Sequence, residues 1–354
     1  MNSIDLNGRR LGHGHPCFVI GEAGVNHNGS LDRALQLVDA ACEAGADAVK
    51  FQTFNADRLV TADAPKAVYQ QKNTASGESQ LEMLRSLELS ESDHVRLLAH
   101  CKRRGIQFLS TPFDELSADL LADLGVPLFK IPSGELTNHP FLEHVARKRL
   151  PLIVSTGMSC LSEVEAAVRT IESNGNPLIA LLHCVSNYPA DPADVNLRAM
   201  DTMRKAFQVP VGYSDHTLGN DIAIAAVALG ACIIEKHFTL DRNLPGPDHK
   251  ASLEPRELRE VVRSIRSVES ALGTGRKVPA PSEANTAAVA RKSVVAARLI
   301  EAGELIDAKS LAMKRPGTGL PATLIPFLTG RKSRVRMEAG TLLSLSSVAP
   351  EELP

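Results

Sequence analysis

The sequence contains no long apolar run, no excess of charge of either sign and no pair of cysteines at CxxC spacing, and each absence excludes a class of protein. Without a stretch near the roughly 18 apolar residues of a membrane span, and with an N-terminus (MNSIDLNGRR) that lacks a signal-peptide core, a cytoplasmic protein is expected. Thirty-nine Lys+Arg against 41 Asp+Glu leave a net charge of −2, so no bulk positive field exists to hold nucleic acid or an anionic membrane surface. Any anion must be gripped locally. The six cysteines (Cys17, Cys42, Cys101, Cys160, Cys184 and Cys232) are scattered, mostly in apolar runs, and read as reduced core thiols.

What the chain does contain is alternation. Short apolar, β-branched stretches at 17–24, 48–54, 107–113, 128–134, 152–158, 179–185, 211–217 and 232–238 are each followed by a segment of helical period. Gly45, Gly105, Gly125, Gly175, Gly230 and Gly273 close the helices. Eight strand–helix units imply parallel strands with crossover helices, hence an α/β fold. A (β/α)8 TIM barrel over residues 1–273 is expected, with an open doubly wound sheet as the alternative. Residues 55–91 form a long polar insertion after the second strand, on the catalytic face of a barrel, where it could act as a lid. Residues 274–284 lose periodicity and read as a linker, and 285–354 as a small β-rich domain.

The C-terminal ends of barrel strands carry active sites, and here every strand ends in polar residues. Lys50 and Gln52 share one face of the second strand, so Lys50 points into the barrel if Phe51 faces the helices. Such a lysine needs a partner: a salt bridge to Glu22 or Glu235, or a bound anion. Lys130 occupies a similar position. Two barrel lysines with Thr111, Ser133 and Ser155 suggest a small ligand with phosphate and carboxylate groups, while a Schiff base is the competing use of Lys130. His216 and His237 end adjacent strands, where their imidazoles could share a divalent ion suited to Lewis-acid work on a carbonyl. His183 is read as pocket wall. Glu135 and Glu235 are candidates to move a proton near a metal-polarised oxygen, unless they merely pair with the lysines. Asp248 sits in a Pro/Gly-rich loop that could grip a polar substrate.

Nine collinear motifs, GEAGVNHNG (21–29), VKFQTF (49–54), STPFD (110–114), KIPSGE (130–135), STGMS (155–159), LHCVSNYPA (182–190), GYSDHTLG (212–219), EKHFTLDRNLPGPDHKASLEP (235–255) and KRPGTG (314–319), make the chain resemble the bacterial sialic acid synthases along its whole length. The resemblance implies a barrel followed by an antifreeze-like (SAF) domain. It also implies a transferase that condenses phosphoenolpyruvate with the open-chain aldehyde of an N-acetylated hexosamine, releasing a nonulosonic acid and phosphate. N-acetylmannosamine giving N-acetylneuraminate is the first expectation, and the diacetamido-trideoxyhexose that yields diacetyllegionaminate is the second.

By the same resemblance, Mn2+ or Mg2+ is held by His216 and His237. Phosphoenolpyruvate is held by Lys50, Thr111, Lys130, Ser133, Ser155, Asn187 and Tyr188, and the sugar by Glu22, Gln52, Ser214 and Asp248. A homodimer is implied in which the small domain crosses to the partner barrel and contributes Arg315. Glu135 is the expected proton relay, with Glu22 and Glu235 beside it. The stretch VARKSVVA (289–296) lacks the aromatic residues that some members place before SVVA. From another class, a non-catalytic carbohydrate-binding or ice-binding protein would have no need of the two histidines.

Overall fold

The computed structural model describes residues 3–6, 8–74 and 77–349 and divides into two compact units, one ending at Gly273 and the other beginning at Thr274. The first unit is built on eight parallel strands: β1 (Phe18–Gly24), β2 (Ala48–Thr53), β3 (Gln107–Pro112), β4 (Phe129–Ile131), β5 (Leu152–Ser155), β6 (Ile179–Cys184), β7 (Val211–Asp215) and β8 (Ile233–His237). All eight lie within the stretches expected from the alternation. The hydrogen-bonded order is β3-β2-β1-β8-β7-β6-β5-β4. First and last strands are therefore neighbours, with Phe18 opposite Ile233 and Glu22 opposite His237, which excludes the doubly wound sheet. Among the described residues only the β3–β4 seam lacks a ladder, where β4 is three residues long.

The helices form where local signals permit. Ser30 caps the helix Leu31–Ala44 by accepting from the Arg33 amide, and Gly45 ends it at a φ of 81°, a left-handed conformation that a side chain would oppose. Ser90 and Gly105 do the same for Glu91–Arg104. Outward-facing strand residues, among them Val49, Phe51, Phe108, Phe129, Val154, Leu181 and Ile234, bury against these helices in one continuous apolar layer.

Inward-facing residues form a second core. Phe18, Ile20, Ala48, Leu109, Leu128, Ile153, Ala180, Leu182 and Ile233 fill the lower barrel. Ile4, Leu6 and Leu11 join them from an N-terminal hairpin, Ile4–Leu6 paired antiparallel with Arg9–Leu11, that the sequence did not announce. Among the described residues these apolar side chains fill the lower barrel, and the polar cavity lies at its upper end.

The second unit pairs β9 (Ser293–Ala296) antiparallel with β10 (Leu311–Lys314) around Val294, Ile300, Ile306, Leu328, Met337, Leu343 and Val348. A short helix, Ala284–Ala290, spans the expected boundary between linker and domain. Two cysteines depart from the core-thiol reading: Cys160 is exposed and Cys42 half-buried, because each occupies the solvent side of a helix or its cap.

Candidate active site

The barrel interior changes character along the strands. Above the apolar layers, the same inward rows continue as Glu22, Lys50 and Gln52, Thr111, Lys130, Ser155, Cys184, Ser214 and His216, and Glu235 and His237, and all of them line one cavity of ≈ 370 Å³. Period two selects these residues: most stand two or four positions after an apolar inward residue, and Ser214 and His216 continue the row that passes through Gly212. A bulge between Glu22 and Gly24 lets β1 deliver Glu22 inward and still close against β2. Gly24 sits there at a φ of 50°, where a Cβ would come within 3.2 Å of Glu22 Oε1 and 3.6 Å of His237 Cε1. A side chain at that position would be strained by the left-handed backbone and would press on Glu22.

Four buried charges occupy the floor. Lys50 Nζ lies 2.7 Å from Glu22 Oε2 and 3.7 Å from Glu235 Oε2, and donates to Thr111 Oγ1 at 2.8 Å. Lys130 Nζ lies 3.3 Å from Glu235 Oε1, which also accepts from Ser214 Oγ at 2.9 Å. The two carboxylates titrate in opposite senses. Burial dominates at Glu22, against the pull of Lys50, and raises its pKa to about 7. Burial would raise Glu235 too, but Lys130 and then Lys50 outweigh it and bring Glu235 down to about 2. Lys130 is itself lowered by burial, Glu235 restoring only part of the loss. Near neutral pH two lysines thus face one firm carboxylate and one that is half protonated, a floor complementary to an added anion.

Several polar atoms at the cavity have no protein partner. Ser155 Oγ, His237 Nδ1 and Asp248 Oδ1 are buried and unpaired. Such atoms are rare in a settled core and mark where a ligand belongs. The rings of His216 and His237 have centroids 5.4 Å apart. His216 Nδ1 donates to the Val185 carbonyl at 2.7 Å, so in the neutral ring the lone pair is on Nε2. Two imidazoles at this separation, each with a free nitrogen, fit a shared divalent ion. Among the described residues no cluster of three or more His, Cys, Asp or Glu side chains is arranged to hold a metal, so such an ion keeps positions for other oxygen ligands. Asp248 is raised to about 6 by burial.

Comparison with known proteins places the chain in a family. A model of the NeuB family matches residues 37–277, and one of the SAF domain matches 291–349. The chain belongs to the NeuB family. It is 51% identical over 343 residues to the N,N'-diacetyllegionaminic acid synthase of Legionella pneumophila, covering 96% of both chains. It is 50% identical over 307 residues to the protein of the same name from Campylobacter jejuni, covering 86% of this chain and 92% of that one. Among solved structures, the N-acetylneuraminic acid synthetase of Leptospira borgpetersenii superposes with a TM-score of 0.73 at 35% identity, covering 80% of this chain and 95% of that one. Family membership and the barrel-plus-SAF architecture agree with the expectation from the motifs.

Within this NeuB-family site, four expectations need correction. Glu135 does not line the cavity: it closes a 3-10 turn, and its half-buried carboxylate accepts from Asn138 Nδ2 at 2.6 Å. Asn187 is exposed and lies off the lining, while Ser186 reaches the cavity instead. His183 alternates with the inward Leu182 and Cys184, so it points outward and its Nε2 meets the Val195 carbonyl at 2.6 Å. The insertion 55–91 is not uniformly polar, because Met83 and Leu87 bury against Val25 and Phe54. Among its described residues it carries three short helices, Ala56–Leu59, Val68–Asn73 and Gln80–Arg85. Arg315 lies in the second unit and donates through Nε to the Ala290 carbonyl at 3.1 Å.

Sequence reading also missed residues. Tyr69, from the insertion, lines the cavity and packs on Tyr188 with centroids 5.0 Å apart, and Tyr188 packs on His216 at 4.1 Å. Asn73 Nδ2 donates to the Pro247 carbonyl at 2.9 Å, tying the insertion to the loop that bears Asp248. No strand-end rule points to an insertion, and the rarity of tyrosine, three in the chain, was the only signal.

Proposed function

We propose that this protein is a phosphoenolpyruvate-dependent nonulosonic acid synthase whose product is N,N'-diacetyllegionaminate. The observation that carries the reading is the pair of buried lysines beside two imidazoles with free nitrogens in one cavity. Lys50 and Lys130 would hold the phosphate and carboxylate of phosphoenolpyruvate, with Ser133, the unpartnered Ser155 and Thr111 completing the grip. His216 and His237 would hold a divalent ion, Mn2+ or Mg2+, with nitrogen donors favouring Mn2+. When bound, such an ion supplies Lewis-acid activation of the sugar's aldehyde oxygen. Gln52, Ser214 and Asp248, which line the same cavity, would meet the sugar's polar groups.

The reaction consumes one water. Carbon 3 of the enol phosphate bonds to the aldehyde carbon, water adds at carbon 2, and phosphate leaves that carbon with the bridging oxygen. Glu22, raised to about 7, is the cavity carboxyl nearest neutrality and the one beside the lysines, which suits it to take up and return a proton, a role first expected of Glu135. Glu235, at about 2, serves instead as a fixed counter-charge to the lysines.

Two observations favour the legionaminate product over N-acetylneuraminate, the first expectation from sequence. The relatives at 51% and 50% identity are both named N,N'-diacetyllegionaminic acid synthases. In addition, Leu59, Val60, Met83, Leu84 and Phe113 give the cavity an apolar wall, which suits a 6-deoxy sugar better than one ending in a hydroxymethyl group. The kcat/KM for phosphate release should therefore be at least about tenfold higher with 2,4-diacetamido-2,4,6-trideoxymannose than with N-acetylmannosamine. A preference for N-acetylmannosamine would reject the legionaminate assignment and keep the reaction class.

The homodimer belongs to the same proposal. Val68, at the start of the helix Val68–Asn73, and Met158 and Leu218, on loops after β5 and β7, are 68%, 73% and 62% exposed. An apolar rim of this kind is suited to cover by a second copy, whose Arg315 would then reach the sugar.

A further inference from the structure

His216 and His237 each stand at the limit of the β7–β8 ladder. Its last register pair is Lys236 with Asp215, so His216 lies beyond the paired residues of β7. On β8 the residue before His237 is Lys236, and period two turns its side chain to the outer face of the barrel, away from the cavity. There Lys236 Nζ lies 2.7 Å from Asp215 Oδ2 and donates to the Thr217 carbonyl at 2.6 Å. Asp215 Oδ1 accepts from the Thr217 amide at 2.9 Å and from its hydroxyl at 2.8 Å. Lys236 and Asp215 are 1% exposed, and Thr217 is fully buried.

This ion pair lies in a predominantly apolar layer between strands and helices, where an apolar pair would satisfy the packing without desolvating two charges. Its geometry has a specific consequence. One ammonium on β8 grips the residues on both sides of His216, at 215 and 217, while sitting next to His237 in the chain. It therefore fixes the two histidine-bearing backbones relative to each other at the point where the strand ladder stops doing so.

We infer that Lys236 and Asp215 are positioning residues that set the spacing of the His216–His237 pair for its divalent ion. They touch neither substrate nor metal. The inference rests on the reading that these two histidines share an ion.

The test is Mn2+ affinity, measured on the full-length protein by the electron paramagnetic resonance signal of free Mn2+, beside thermal unfolding by circular dichroism. The double variant Lys236→Met/Asp215→Asn removes both charges, so neither is left buried alone. It should stay folded and bind Mn2+ about 10- to 100-fold more weakly, the usual effect of losing groups that orient metal ligands. Thr217→Val removes one hydrogen bond to Asp215 and leaves the ion pair, and should weaken Mn2+ about threefold. A lower melting temperature with the wild-type Mn2+ dissociation constant would show a purely structural network and overturn the inference. Should the double variant not fold, an unchanged dissociation constant in Thr217→Val overturns it equally. If wild-type protein shows no saturable Mn2+ binding that His237→Ala removes, the shared-ion reading fails first, an outcome distinct from equal binding by all variants.

Discussion

His237→Ala should lower kcat/KM at least about a thousandfold while leaving the barrel folded. The side chain is one of two imidazoles with a free nitrogen on the cavity, and its Nδ1 has no protein partner to lose. Burial, with His216 and Lys50 nearby, holds its pKa well below the ordinary histidine range, so the ring is neutral and available to a cation at neutral pH. Lewis-acid assistance to a carbonyl contributes several kcal/mol, and about 4 kcal/mol corresponds to three orders of magnitude in rate. Chelation of wild-type enzyme should give the same loss, reversed by Mn2+ in the wild type and not in the variant. His183→Ala is the matched control: its ring faces the helices and meets the Val195 carbonyl, so turnover should stay within about threefold of wild type. Near-normal turnover of His237→Ala would remove the histidine pair from the reaction.

Lys130→Met should cost about a hundred- to thousandfold in kcat/KM, expressed mainly as a higher KM for phosphoenolpyruvate. A charge-assisted hydrogen bond to a buried anion is worth about 1.5–3 kcal/mol, and Lys130 is placed to make more than one. Methionine keeps most of the volume, and Glu235 retains Ser214 at 2.9 Å and Lys50 at 3.7 Å, so the floor does not acquire an isolated carboxylate. The equivalent change at Lys50 is less informative, because it strips both Glu22 and Glu235 of a partner and would destabilise the protein as well. Kinetics on Lys130→Met also separate anion binding from Schiff-base chemistry. Burial lowers the Lys130 pKa, the condition a Schiff base requires, yet borohydride in the presence of pyruvate should leave its mass unchanged. A reduced pyruvyl adduct on Lys130 would contradict the assignment.

Much of the barrel was legible because its two periodicities coincide with function. Inward positions such as Lys50, Gln52, Glu235 and His237 follow from strand alternation alone, and the structure gathers them on one cavity. The same rule would have turned His183 outward, had Cys184 been recognised as the inward residue of β6. Glu135 was misjudged for another reason. It lies beyond β4, where Ser133–Glu135 winds into a 3-10 turn, and alternation has no meaning in a helix. The N-terminal hairpin and the short helices of the insertion were invisible because segments of three to six residues carry too few apolar positions to define a period. Tyr69 reaches the cavity only through the packing of that insertion, on Tyr188 and, through Asn73, on Pro247.

The fate of the bridging oxygen of phosphoenolpyruvate tests the central claim most directly. With 18O at that position, enzyme loaded with Mn2+ and 2,4-diacetamido-2,4,6-trideoxymannose should release phosphate carrying the label, because the bond that breaks joins carbon 2 to the bridging oxygen. Unlabelled phosphate, with 18O left on the nine-carbon acid, would mean cleavage between phosphorus and oxygen and would contradict the account.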